Sequence, residues 1–181
     1  MGLGKGDAVP TEPTNADDAV IDNVYRWFSE IYLGGIPAII TNETAFLAFV
    51  CTLTATEALA GYLDGDHNEG NGARFRTFVE RYFPPEYKPH AGELWNFRNS
   101  MIHGFSTGSR FVLTHHNSWA HLSQTDRGLP LTSEDFYGAL LSATKSYFLD
   151  VRGDADLRSR LVKRVQSAKG GMITVGTATV I

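Results

Sequence analysis

The chain has 181 residues, a formal net charge of −4 at pH 7 and a hydrophobic fraction of 43%. A chain of this length and apolarity buries most of its unfolded surface in one core, so we expect a single domain. The negative charge excludes a surface that is basic overall, so only local basic patches remain for binding nucleic acid.

The chain begins with a segment rich in Gly, Pro and Thr. Residues 1–14 lack the continuous apolar core of a signal peptide, and we expect them to form a flexible lead-in. Helical periodicity follows, because the apolar residues from Val20 to Tyr32 fall on one arc at about 100° per residue. Gly34 and Gly35 predict the end of this first helix.

The second predicted helix is the long segment "ETAFLAFVCTLTATEALAGYLDG", with Asn42 in front of it as the N-cap. Nearly every face of the segment is apolar or small, which indicates a central helix. The only cysteine, Cys51, has no partner for an intrachain disulfide, which favours a reducing cytoplasm. No apolar run in the chain reaches the roughly 18 residues of a membrane helix without a polar interruption, so we expect a soluble protein without a membrane partner.

A shorter helix, "ARFRTFVERYF", follows an acidic glycine-rich loop and is stopped by Pro84 and Pro85. The next helix is predicted to begin near Pro89 or His90 and to end at Gly104. After it, "SRFVLTHHNSWAHLSQ" is rich in β-branched and aromatic residues on both sides of a His-Asn-Ser turn. This pattern predicts a small β-hairpin.

Two more helices complete the predicted fold. Thr132 and Asp135 give the first of them a start like a capping box, and the second covers residues 155–168. For the tail, residues 170–181, the sequence leaves both a strand and disorder open. We therefore predict a mainly α fold, a single helical-bundle domain over residues 15–169 with a small hairpin inserted before its last long helix.

The helix that contains "LWNFRNSMIHGF" carries a charge on its apolar face. At about 100° per residue, Arg98 lies near the middle of the apolar arc of this helix. A guanidinium cannot lose its charge, so in that place it needs a carboxylate, a phosphate or trapped water. Glu57, on an apolar stripe of the long helix, is the candidate carboxylate. The spacing supports an ion pair that merely fixes helix register as well as it supports a functional site.

The stretch "RNSMIH", residues 98–103, resembles the R-N-x-x-x-H signature of HEPN domains, small helical bundles of prokaryotic toxins, defence systems and some eukaryotic RNA-processing proteins. Glu57 and the order of the helices resemble those domains too, and the resemblance covers residues 42–151. It implies a HEPN-like metal-independent endoribonuclease in which Arg98 and His103 form an active-site pair at a homodimer interface. It also implies a toxin or defence role, with an antitoxin or regulatory protein as a partner.

The residue types fit this chemistry. Metal-free RNA cleavage needs a base for the ribose 2′-OH, a cation for the phosphorane and an acid for the 5′-oxygen. His103 is the candidate base or acid, Arg98 the phosphate clamp, and Asn99 the group that orients the phosphate or the imidazole. A two-fold dimer supplies a second histidine for the second proton role. The alternative is a non-catalytic HEPN-like module that binds a nucleotide or a protein, with His103 only capping the helix end.

The looser R-x-x-x-x-H pattern occurs a second time, from Arg110 to His115. In an extended strand, residues five apart point to opposite faces, whereas on a helix they are about 140° apart, which a long arginine bridges near a fraying end. Geometry therefore favours the first match. Phe105 stands where some HEPN toxins carry a tyrosine that is adenylylated, so control by that modification at that position is excluded.

Two other groups of residues are weaker candidates. His115, His116 and His121 are of a type that binds metals, but the one cysteine is distant and no carboxylate stands at ligand spacing, so we expect neither a metal nor a cofactor. The most basic stretch lies in the last predicted helix and suits an RNA backbone, although such a run is more often a solvated helix face. Its members are Arg158, Arg160, Lys163, Arg164 and Lys169.

Overall fold

The structure is a computed structural model, and it describes residues 16–65, 70–104, 106 and 110–168. The predictions for residues 1–14, residues 170–181, Phe105 and Lys169 fall outside these stretches. Within them, six α-helices and a two-stranded sheet make up the regular structure, which confirms a mainly α class. None of the helices in these stretches is long and apolar enough to cross a bilayer.

The helices are α1, Ala16–Phe28; α2, Ala45–Gly61; α3, Asn71–Tyr82; α4, Ala91–Gly104; α5, Ser133–Gly153; and α6, Ala155–Ser167. A π-helical turn, Ser29–Leu33, continues α1 and ends at Gly34, whose N–H donates to the Ser29 carbonyl at 2.7 Å. A 3₁₀ turn, Pro85–His90, leads into α4.

The centre of the fold is α2, which packs against α3, α4 and α5. Its inward residues Phe49 and Leu53 are each 1% exposed. The Phe49 ring contacts Phe97 of α4 and Phe136 of α5, at centroid distances of 6.4 and 6.3 Å. On the far side, α1 packs on α6, which in turn packs on α5. A segment that is apolar on nearly every face is thus the central helix, as predicted.

The N-terminus of α2 differs from the prediction. Thr44, not Asn42, is the N-cap residue, and its side chain makes no capping hydrogen bond. The Thr44 hydroxyl donates to the Ile39 carbonyl at 2.8 Å and lies 2.8 Å from Thr41 Oγ1. The two threonines therefore close a turn of their own before the helix, and this turn moves the helix start past Asn42.

The predicted capping box at the start of α5 is wrong as well. Thr132 is the N-cap residue, but its side chain makes no capping hydrogen bond. Its hydroxyl donates to the Asn117 carbonyl at 3.3 Å and lies 2.9 Å from the hydroxyl of Thr114. Because Thr132 is also the last residue of a strand, its side chain serves the sheet instead of the helix.

The predicted hairpin at residues 109–124 is wrong too. Strand β1, Phe111–Thr114, pairs in parallel with β2, Leu129–Thr132, which lies beyond the predicted hairpin. All four residues of β2 are buried, whereas Trp119, in the predicted second arm, is 89% exposed. Burial of the β2 side chains in the bundle core outweighs the local β propensity around Trp119 and selects the more distant partner.

Gly128 shapes the turn that leads into β2. Its φ is +126°, and an added Cβ would lie 2.3 Å from the Arg110 carbonyl oxygen. We expect Gly128→Ala to lower the free energy of unfolding by about 3 kcal/mol, because a strained φ alone costs roughly 1–3 kcal/mol and the backbone clash adds to it. Chemical denaturation measures this loss.

The matched control for that substitution is Gly138→Ala in α5. No atom lies within 4 Å of a Cβ added at Gly138. Alanine should therefore raise the free energy of unfolding there by about 0.5–1 kcal/mol, which is the difference in helix propensity. A Gly128→Ala variant as stable as wild type would contradict the turn described here.

Candidate functional site

Arg98 lies on α4 and is held by three neighbouring groups. Its guanidinium forms an ion pair with Glu57 of α2, and Nη1 donates to Asn99 Oδ1 at 3.1 Å. Its Cζ lies 5.5 Å from the centroid of the Trp95 ring. The ion pair predicted between α2 and α4 therefore forms. The Arg98 and Glu57 side chains are 17% and 18% exposed, so water still reaches the pair.

The apolar arc of α4 is only partly buried. Leu94, Phe97 and Met101 are at most 3% exposed, whereas Ile102 is 44% exposed. Trp95 is half-buried. Arg98 therefore lies at the margin between core and surface and not in the middle of a buried arc, which is why an arginine is tolerated there.

A polar network extends the Glu57–Arg98 pair to α3. Glu57 Oε1 accepts a hydrogen bond from Asn71 Nδ2 at 3.3 Å, and the side-chain Oδ1 of Asn71 accepts one from Arg74 Nη2. Arg74 also forms an ion pair with Asp64 at 3.2 Å, and its side chain is 7% exposed. The Glu57 carboxylate is thus fixed from two sides, and it fixes Arg98 in turn.

A cavity of about 470 Å³ opens beside Glu57, between α1, α2, α3 and α6. Trp27, Phe28 and Tyr32 contribute to its apolar wall, and Glu57 and Arg164 to its polar part. Desolvation, and then the nearby Arg74 charge, lower the pKa of Arg164. The cavity is large enough for a small organic molecule with a planar ring.

His103 lies in the last turn of α4 and is exposed. Within the part of the chain that the structure describes, its imidazole makes no hydrogen bond or ion pair, with Arg98 or with any other residue. Arg98 and His103 are five positions apart, which corresponds to about 140° around a helix, and no hydrogen bond or ion pair joins them in the described part of the chain.

Two arginines of the basic stretch in α6 are matched by carboxylates. Arg158 pairs with Asp18 of α1. Arg160 pairs with Asp156 and donates to the Leu63 carbonyl at 3.1 Å. This neutralisation weakens the attraction of the helix for phosphate, and contact of this face with RNA stays a prediction.

The second match to the arginine–histidine pattern is split by β1, as strand geometry predicts. Arg110 Nη2 donates to Gln124 Oε1 at 2.7 Å, and its Nη1 lies 3.6 Å from a carboxylate oxygen of Glu93. His115 lies at the other end of β1, where Nδ1 is 2.8 Å from Glu134 Oε1. His116 Nδ1 is 3.0 Å from the same oxygen.

His121 is a structural residue, bonded at both ring nitrogens. The Thr132 backbone N–H donates to Nδ1 at 3.0 Å, and Nε2 lies 2.7 Å from the Tyr87 hydroxyl. Because Nδ1 accepts a hydrogen bond, it carries no proton, and the ring is neutral with its proton on Nε2. Burial lowers the pKa of His121, against the opposing effect of Asp135 and Glu86.

We expect the His121 imidazole to titrate below its ordinary pKa of 6.5. Below pH 6.5 the unfolded chain then binds a proton at His121 that the folded chain does not bind. The free energy of unfolding therefore decreases as the pH falls below 6.5. An NMR titration of the imidazole protons measures the pKa of His121 directly. A His121 pKa at or above 6.5 would contradict the neutral tautomer.

Among the residues predicted to form a site, Glu57, Arg98 and Asn99 lie together, and His103 lies apart. Asn71 and Arg74 belong to the same network but were not predicted. Their spacing of three residues on one helix face is the only signal that the sequence offers for them. No protein-family model, curated protein or solved structure matches the chain.

Proposed function

We propose that the protein is a homodimeric, HEPN-like endoribonuclease that cleaves RNA without a metal, by attack of the ribose 2′-OH on the adjacent phosphate. The observation that carries this proposal is the setting of Arg98. A permanently charged guanidinium, partly open to water, is held by Glu57 and Asn99 on the helix whose end carries the exposed His103. A toxin or defence component, regulated by an antitoxin or another protein, is the biological role that such an activity suits.

Each side chain has a distinct task in this reaction. Arg98 donates hydrogen bonds to the phosphate and stabilises the charge that builds up in the phosphorane. Glu57 acts as a positioning residue, because its ion pair and the bond from Asn71 limit the orientations of the guanidinium. His103 removes the 2′-OH proton or protonates the 5′-oxygen.

The exposed side of α2 supports a dimer. Leu47 is 49% exposed, and Val50 and Cys51 are half-buried. Val50 shares a helix face with Glu57, which contacts Arg98, and Leu47 lies about 80° away from Glu57 around the helix, so apolar surface adjoins the proposed site. Contiguous exposed apolar surface is typical of interaction sites. An isologous dimer over this face brings two copies of α4 together and supplies the two histidines that the reaction needs.

We expect Leu47→Glu to convert a dimer into a monomer and to abolish RNA cleavage, because the substitution places a charge in the centre of the proposed apolar interface. Light scattering at tens of micromolar protein measures the mass. Leu149→Glu is the control, since Leu149 is 72% exposed on α5 and is not part of this face. A wild-type protein that is monomeric at this concentration would contradict the shared site.

The experiment for the activity itself uses purified protein, a varied pool of single-stranded RNA, and EDTA. We expect cleavage of the RNA with 2′,3′-cyclic phosphate ends, and no cleavage of DNA of the same sequence, because DNA lacks the attacking hydroxyl. Activity that EDTA abolishes would indicate a metal nuclease and overturn the proposed mechanism.

The cavity beside Glu57 favours a second function, a non-catalytic module that binds a nucleotide. Trp27 and Tyr32 offer aromatic rings to a planar base, and Arg164 offers a charge to a phosphate. A titration with nucleoside phosphates, followed by the intrinsic tryptophan fluorescence to which Trp27 contributes, tests this function. A folded dimer that binds a nucleotide but leaves the RNA pool uncut would favour this function over the nuclease.

A further inference from the structure

Three nitrogen atoms surround one carboxylate oxygen after the end of β1. Glu134 Oε1 lies 2.8 Å from His115 Nδ1 and 3.0 Å from His116 Nδ1, and it accepts the His116 backbone N–H at 3.1 Å. A carboxylate oxygen offers about two lone-pair sites. Since the His116 backbone N–H already donates to this oxygen, the two imidazoles cannot both donate to it. At least one Nδ1 then turns a lone pair toward the oxygen. A cation between the ring and the carboxylate converts this repulsion into attraction.

The backbone at His116 is arranged for this convergence. Consecutive side chains of an extended chain point to opposite sides, so His115 and His116 would ordinarily diverge. His116 has a φ of +54°, a left-handed conformation that is uncommon for residues other than glycine. This turn brings the two imidazole rings to a centroid separation of 3.7 Å. The left-handed backbone at His116 costs free energy, and it places both Nδ1 atoms beside the same Glu134 carboxylate.

We propose that His115, His116 and Glu134 bind a divalent transition-metal ion, with zinc as the best match. The three ligand atoms lie within 4.8 Å of one another, so a single ion with bonds of about 2.0–2.2 Å reaches all of them after small side-chain shifts. Two imidazole nitrogens and one carboxylate oxygen suit zinc better than magnesium or calcium, which prefer oxygen ligands. Water completes the tetrahedron.

The surrounding groups hold the carboxylate in place for an ion. The Ser133 hydroxyl donates to Glu134 Oε2 at 2.9 Å, which leaves Oε1 for the histidine side. His115 is 13% exposed and His116 is 75% exposed, so the site has one anchored ligand and one that is open to solvent. A bound ion would join the end of β1 to the first turn of α5. The site does not include Arg98 or His103 and does not depend on the proposed nuclease.

The test is calorimetric titration of the EDTA-treated, dialysed protein with zinc chloride, together with the visible absorption spectrum of the cobalt(II) form. We expect one zinc ion per chain, and a tetrahedral cobalt spectrum. Glu134→Gln and His116→Asn should each weaken zinc binding about 100-fold. Asparagine tolerates the left-handed backbone at His116, so the fold of that variant survives, which circular dichroism verifies.

The matched control is His90→Ala. His90 Nδ1 lies 3.3 Å from a carboxylate oxygen of Glu93, so it forms a similar histidine–carboxylate pair outside the proposed site. Zinc affinity unchanged in His90→Ala and lost in the two site variants supports the proposal. Absence of binding to wild type at 100-fold excess zinc, equal affinity of all variants, or loss only in His90→Ala would each overturn it.

Discussion

We expect His103→Ala to lower the rate of RNA cleavage about 100-fold or more, since removal of a general acid or base costs roughly 10²–10⁴ in rate. The fold should survive, because His103 is exposed at the end of α4 and makes no polar contact with the residues that the structure describes. Single-turnover cleavage of a labelled RNA by the folded dimer in EDTA is the measurement.

His90→Ala serves as the control for this substitution, because His90 precedes α4 and is far along the chain from its end. Its cleavage rate should equal that of wild type. Arg98→Ala is a less clean test, since it also leaves the Glu57 carboxylate without its charged partner. Equal cleavage by wild type and His103→Ala would remove His103 from the mechanism, and no cleavage by either would remove the nuclease.

The second large effect concerns stability. We expect Glu57→Ala to lower the free energy of unfolding by about 2–4 kcal/mol, because it leaves the Arg98 charge unpaired in a mostly buried position. The expected loss is slightly smaller than for a fully buried ion pair, because the two side chains are still 17% and 18% exposed. Asn71 also loses its carboxylate acceptor. Chemical denaturation at neutral pH measures the change.

Two comparisons separate this effect from a general cost of losing a carboxylate. Asp22→Ala breaks an ion pair with Arg152 whose side chains are 46% and 57% exposed, and it should cost less than about 1 kcal/mol. In the double variant Glu57→Ala/Arg98→Met, part of the stability should return, because no charge is left unpaired. A loss in Glu57→Ala as small as that in Asp22→Ala would show that the pair contributes little to the fold.

The helices were predictable because their signals are local. Pro84 and Pro85 end α3 at Tyr82, and the acidic residue Asp154 starts α6 by accepting hydrogen bonds from two backbone N–H groups. The helix start predicted at Asn42 was wrong, and Thr132 is the N-cap residue of α5 but lacks the predicted capping hydrogen bond. In both places a threonine hydroxyl bonds elsewhere, in a turn at Thr44 and in the sheet at Thr132, and the sequence does not show this competition.

The sequence predicted the Glu57–Arg98 pair but not the other residues around it. A charge on an apolar stripe is rare. Two opposite charges of this kind on different helices, Glu57 and Arg98, therefore predict an ion pair. Arg74 gave no such signal, because an arginine near the start of a short helix looks like a surface residue, yet it is buried. Glu134 gave none either, because it approaches His115 and His116 only through the pairing of two strands distant in sequence.

That parallel pairing sets the order in which this part of the chain acquires structure. A hairpin closes on itself in about 1–10 μs, whereas β1 and β2 pair residues 18 apart, such as Thr114 and Thr132. Since β2 runs directly into α5, its position is fixed by the docking of that helix on α2. The two strands therefore pair only when α5 docks. During refolding, their amide protons should become protected against hydrogen exchange at the same time as those of α5, and not earlier.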